Sequence, residues 1–568
     1  MECMDDLPDA LNRLATRLEI LERRVYALEH PSDVSNALPA LEPAQAQGFP
    51  TGEEHPFPVA GGAFPVLGRA MLGIAGAYLL RAVTEASSLP KLGIAALAIA
   101  YAMLWLVWAT RSPAGAWFAS MAYACTSALI LAPMLWELTL RFKILPASAT
   151  AGVLGAFVCA ASALAWKRNL TSVFWVANMT AVTVALALLI TTHEIAPFIA
   201  VLLLMVLLCE YAAARNRGPS VRPLVAAAAD MAIWALIFIY SSPQSARVDY
   251  PLLGTPALLA PGFTLFLIYG ASVTLKTTVL QLKITAFETV QTMIAFLLAA
   301  SSLLYFEPRG GATVLGAFCL VLSAASYTAV FVFFLRAAEP RNERVYANWS
   351  AALFLAGALM CLPPLWMAMW LSAGAIAATV LGIRLNWPAL EFHGMAYLLA
   401  AAIASGLFDY VFQAFAGTLS GAPAWSMCVV TACAVLCCVA RKPRQAETWK
   451  QQLFDLVTAS VEIAATAALL VEGLAWLTAL RVNPGAHHLA FIRTLTICAA
   501  ALALAFSGAH WRRMELTRIG YATLVLVAAK LVFEDLRHGH LEFIAASIFL
   551  FAITLIAVPR IARMGQRI

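Results

Sequence analysis

Ionisable side chains set inside long apolar runs are the residues of this chain most able to do chemistry. Each costs about 2.5–3.5 kcal/mol at the centre of a bilayer and needs a partner, water or a functional role to persist there. Arg81 and Glu85 lie four apart, on one helix face, at the end of the first such run, and Lys530 and Glu534, followed by Asp535, repeat that spacing near the end of the chain. Asp409 sits within another run. Glu472 and Arg493 flank a turn near residue 484, so an antiparallel hairpin brings them to similar depths and lets them pair. Glu210, Asp230 and Glu288 lie toward the opposite membrane face. Such charges build a polar cavity that binds an anionic or zwitterionic head group or an ion. The alternative is structural: charges near helix ends reach an interface, and opposite charges pair to hold helices together.

Other chemistries find little support. The chain has no GxxxxGK[ST], GxGxxG, GxSxG or HExxH pattern. His193-Glu194 has no second histidine beside it. Cys428, Cys433, Cys437 and Cys438 share one helix, and ligands from a single helix do not surround a metal tetrahedrally, so apolar packing is the favoured reading. No catalytic residue, metal or cofactor is expected, and nothing suggests a nucleic-acid partner.

The elements that position these charges follow from composition. Of 568 residues, 62% are hydrophobic and 12% charged, against about 25% charged in soluble domains. Apolar runs long enough to cross a hydrocarbon core of about 30 Å recur from Phe64 to Val558. They predict an all-α polytopic transmembrane helix bundle of about 18 spans over residues 62–568. The spans fall near 62–83, 91–110, 116–138, 147–166, 171–191, 195–214, 222–241, 257–275, 285–306, 311–336, 346–362, 364–384, 391–417, 423–440, 452–480, 487–509, 516–534 and 541–559. No internal repeat is visible at the level of exact residues.

The net charge of +6 follows topology. Lys167, Arg168, Arg215, Arg217, Arg341, Arg344, Arg441, Lys442, Arg444, Arg512 and Arg513 fall in loops on one side, whereas the other side holds only Lys91, Arg141, Lys143, Arg247, Arg309, Arg481 and Arg537. The positive-inside rule then places both termini in the cytoplasm of a bacterial cell, with the chain in its inner membrane. It also requires a true turn at Cys361-Leu-Pro-Pro364, because removing that turn inverts every later loop. Arg81, Glu85, Asp409, Glu472, Arg493, Lys530, Glu534 and Asp535 consequently lie in the outer half of the bundle.

Ahead of the spans, Leu7, Leu11, Leu14, Leu18, Leu21, Val25 and Leu28 alternate at spacings of four and three. That stripe predicts a short cytoplasmic coiled-coil helix over residues 1–30, which would pair with a second copy or another helical protein through residues 7–28. An amphipathic helix lying on a surface is the alternative. Residues 31–61 are rich in proline and have no apolar period, as in a flexible linker.

The coiled coil, the linker, AYLLRAVTEASSLPKLGIAALAIAYA (77–102) and AAKLVFEDLRHG (528–539) together resemble a family of bacterial membrane proteins catalogued as domain of unknown function 2339. The resemblance implies that Arg81, Lys530 and Asp535 are family-typical charges and carries no activity with it. From the residues themselves, a transporter or flippase in contact with membrane lipids is the leading expectation. A membrane-embedded enzyme acting on a lipid-linked substrate, with Glu85 or Asp409 as base, is opposed by the shortness of the outer loops. A scaffold or sensor acting through the coiled coil is the third reading.

Overall fold

The computed structural model describes residues 60–567 apart from 87–90, 113–116, 216–220, 244, 246–247, 335–339, 417–422, 441–485, 512–513 and 536–539. The chain divides into Met1–Gly68 and Arg69–Ile568. The described part of the first unit is the opening stretch of one helix; the bundle and its charged groups belong to the second. The expected coiled coil, the linker up to residue 59, the span 452–480 and Glu472 lie outside the described residues.

No strand occurs among the described residues. The helices are α1 (Ala60–Ala86), α2 (Lys91–Arg111), α3 (Trp117–Trp136), α4 (Ala147–Arg168), α5 (Thr171–Thr192), α6 (Ile195–Ala214), α7 (Arg222–Ser241), α8 (Thr255–Thr274) and α9 (Ala286–Phe306). There follow α10 (Gly311–Ala329), α11 (Pro340–Cys361), α12 (Pro364–Leu385), α13 (Pro388–Ala404), α14 (Leu407–Ala416), α15 (Trp425–Ala440), α16 (Ala486–His510), α17 (Met514–Lys530) and α18 (Leu541–Arg567). Twelve helical segments among the described residues are long and apolar enough to cross a membrane. Their outward faces carry large apolar side chains such as Leu72, Val525 and Phe549, exposed by 72%, 70% and 69%, a surface suited to acyl chains rather than water.

Local chemistry sets where the helices stop. Asn169 and Asn386 take left-handed conformations (φ 55° and 52°) directly after α4 and α12, a terminus that asparagine tolerates better than most residues. Proline opens α12 and α13, where its missing N–H costs nothing. Pro363 is extended (ψ 157°), so Cys361-Leu-Pro-Pro364 separates two helices, as the charge distribution requires. The segment 391–417, expected as one span, is instead broken: Gly406 adopts φ 74°, and α13 gives way to the ten-residue α14. A glycine at positive φ ends a helix with no steric penalty, and apolar composition alone does not reveal it.

Four helices, α3, α8, α10 and α17, end in five-residue π-helical turns: Glu137–Arg141, Leu275–Val279, Val330–Phe334 and Leu531–Asp535. The first two are closed alike. Phe142 N–H donates to Glu137 O and Ile144 N–H to Leu138 O, while Leu280 N–H donates to Leu275 O and Leu282 N–H to Lys276 O. Lys143 and Gln281 follow at φ 49° and 53°. A local device thus recurs where residue identities show no repeat.

α10 packs along α11, and α12 along α13. The approach is close because glycine lines both seams: a Cβ on Gly357 would lie 2.8 Å from Gly316 O, and one on Gly394 would lie 2.6 Å from Thr379 Oγ1. These helices and α15 enclose a core around Leu371, Ala375, Leu398, Ala401, Val430 and Cys433.

Candidate functional site

Of the eight charges singled out in the sequence, the four whose side chains are described, Arg81, Asp409, Arg493 and Lys530, do not gather at one site. Arg81 pairs with Glu137 at 2.9 Å. Glu85, its expected partner four residues on, lies in α1, but its side chain is not among those described, nor are those of Glu534 and Asp535. Lys530 donates from α17 to Ala490 O (3.0 Å) and Thr494 Oγ1 (2.8 Å) of α16, next to half-buried Arg493. Asp409 occupies the first turn of α14, exposed, accepting a hydrogen bond from Gln413 (2.8 Å). A carboxylate there complements the helix dipole, which explains the residue without a ligand.

The most heavily charged assembly joins α6, α7, α8 and α9. Arg222, at the start of α7, holds both oxygens of Glu210 through Nε and Nη2, and its Nη1 reaches Glu288 at 3.0 Å. Lys276, in the π turn after α8, donates to Glu288 at 2.6 Å, and Ser272 donates to Glu210 at 2.6 Å. The other Glu288 oxygen accepts the Thr285 N–H (2.8 Å) while the Thr285 hydroxyl accepts the Glu288 N–H (3.3 Å), a capping box at the start of α9. Phe287 lies under the Arg222 guanidinium at 4.9 Å. Glu210 and Glu288 are 4% and 1% exposed.

Two cations balance two carboxylates here, and all four carboxylate oxygens have donors. Such a group binds its own helices together and leaves no coordination for a ligand. Deeper along α7, Asp230 accepts from Gln291 Nε2 at both oxygens (2.9 Å each).

Sequence reasoning missed this network, although a signal was present. Arg222 and Glu210 are separated by 12 residues across one turn, and Lys276 and Glu288 by 12 across another. The hairpin geometry proposed for Glu472 and Arg493 applies equally to both pairs.

A smaller polar group lies in the α10–α15 core. Tyr327 OH is 2.9 Å from His393 Nδ1 and 2.7 Å from Tyr397 OH. Cys433 and Cys437 are buried in the same region of α15, in keeping with apolar packing.

Arg81 and Glu137 stand at the wall of a cavity. A cleft of about 220 Å³ runs between α1, α2 and the end of α3, lined by Ala77, Tyr78, Arg81, Ala95, Leu129, Pro133, Glu137 and Phe142 among others. Glu137 opens the π turn after α3, a distortion often found at functional sites. Arg81 remains 40% exposed and Glu137 18%. The guanidinium of Arg141 lies over the Phe142 ring at 5.4 Å, beside the cleft. Helices of about 20 residues joined by short turns alternate in direction, so this pair and the α6–α9 network occupy opposite ends of the bundle.

Compared with family models, curated proteins and solved structures, the chain gives no match. The class therefore rests on the fold itself: an all-helical, multi-pass membrane protein.

Proposed function

We propose that this chain is a transporter or flippase-like protein of the bacterial inner membrane, with both termini cytoplasmic and a polar substrate cavity in the outer half of the bundle. The observation that carries this reading is the Arg81–Glu137 cleft: a charged pair, partly exposed, at the wall of a cavity whose lining is otherwise apolar apart from the Tyr78 hydroxyl. A pair serving only to join α1 to α3 has no need of open space beside it. The α6–α9 network at the other end acts as the fixed frame. The resemblance to the family of domain 2339 fits this membrane architecture, and the coiled coil over residues 7–28 supplies a route to a second copy or a helical partner.

Two measurements test the reading. Reporter fusions at the C-terminus locate it, and a periplasmic signal removes the proposed orientation. Purified protein in vesicles carrying head-group-labelled lipid in both leaflets should accelerate its exchange, and Arg81→Gln should lose most of that acceleration. Exchange no faster than in protein-free vesicles excludes a lipid-moving activity.

A further inference from the structure

We infer that the Arg81–Glu137 cleft binds the head group of a zwitterionic phospholipid carrying a primary ammonium, entering sideways from the bilayer with its acyl chains left outside. The inference names the substrate class of the cavity proposed above and rests on that reading of the site.

The cleft's mouth faces the bilayer. Tyr78 and Leu129 both line the cavity and are 64% and 59% exposed. In a bilayer, exposed apolar side chains at this level of a helix face lipid. The opening they border is therefore a lateral one, reached from the acyl region rather than from water.

The cleft is also sized for a head group. At about 220 Å³ the cleft is smaller than the roughly 300–1,000 Å³ of sites that enclose a drug-sized ligand. It takes a head group and excludes two acyl chains, which stay in the membrane against the apolar surface at the mouth.

Charge then selects among head groups. A lone arginine selects an anion; a paired arginine and glutamate, 2.9 Å apart and both accessible, offer one group of each sign. A phosphate finds guanidinium N–H donors on Arg81 in the planar arrangement that suits it. A primary ammonium within the same head group donates to the Glu137 carboxylate. A uniformly anionic head group meets the carboxylate and is repelled, so Glu137 supplies discrimination as much as affinity. The α6–α9 network offers no comparable site, since its carboxylates are saturated and buried.

The test uses delipidated full-length protein in detergent, with binding of three probes measured by native mass spectrometry or a fluorescence competition assay. The probes are short-chain phosphatidylethanolamine, short-chain phosphatidylglycerol, and glycerophosphoethanolamine, which has the head group and no chains. Wild-type protein should bind phosphatidylethanolamine at least tenfold more tightly than either of the others. Glu137→Gln should bring phosphatidylglycerol level with phosphatidylethanolamine, and Arg81→Gln should weaken both. The double variant Arg81→Gln, Glu137→Gln removes both charges of the pair together, so it should elute as folded protein while losing the preference, which separates loss of binding from loss of fold. Equal binding of the two lipids by wild type, a preference unchanged in Glu137→Gln, or equal binding of the chainless head group would each overturn the inference. Selective binding without lipid exchange in vesicles would leave the inference standing and remove the flippase reading; exchange without selectivity would do the reverse.

Discussion

Two charged regions of this protein use the same residue types to opposite ends. In the α6–α9 network, Arg222 and Lys276 are consumed by Glu210 and Glu288, and serine, threonine and backbone donors complete the shells. At the α1–α3 cleft, Arg81 and Glu137 pair beside open space and stay partly exposed. Saturation and burial make a charged cluster a fastener; partial exposure at a cavity makes a similar pair available to a ligand. The chemistry of a membrane-embedded ion pair is thus decided by what surrounds it.

Removing the central cation of the fastener should have the largest effect. Arg222→Leu strands the buried Glu210 carboxylate, leaves Glu288 to Lys276, and is expected to cost about 3–5 kcal/mol, read as a lowered unfolding midpoint in detergent. Glu210→Gln added to it should restore part of that loss, because the two residues are coupled. A strictly additive pair would show that the network does not act as a unit. Next, Gly357→Leu forces a side chain against Gly316 O and Leu320 and should lower stability by about 1–3 kcal/mol through overpacking. No measurable change would mean that α10 and α11 do not approach closely in solution.

Thr285→Ala removes one half of the capping box at α9 and should cost about 1 kcal/mol. Thr285→Ser, which keeps the hydroxyl, should recover most of it. The smallest expected change in stability is at the cleft: Arg81→Gln, with a side chain 40% exposed, should shift it by about 0–1 kcal/mol. A loss at Arg81 as large as at Arg222 would erase the distinction between fastener and site, whereas loss of lipid binding with stability retained would sharpen it.

The helical, multi-pass character was legible in the sequence because each apolar run must satisfy its own backbone hydrogen bonds within the bilayer, whatever its neighbours do. The turn at Cys361-Leu-Pro-Pro364 was legible for a similar reason, since charge distribution across loops is a property of the chain order itself. The break at Gly406 was not, because an interrupted apolar helix and a continuous one have the same composition.

Of the candidate site, the sequence identified Arg81 as a charge needing a partner and named Glu85, whose side chain lies outside those described; the partner the structure adds is Glu137. Glu85 was near in the chain; Glu137 is near in space. Spacing along a helix determines which residues share a face, and hairpin length determines which share a depth, so 210 with 222 and 276 with 288 were within reach of sequence reasoning. Which helices lie side by side is another matter. Arg81 meets Glu137 because the end of α1 lies beside the end of α3, and Arg222 joins Glu210 to Glu288 because α7 sits between α6 and α9. Those choices arise from close packing of many nearly equivalent apolar faces, where small differences in side-chain volume decide the neighbours. No pattern along a single strand of sequence records them.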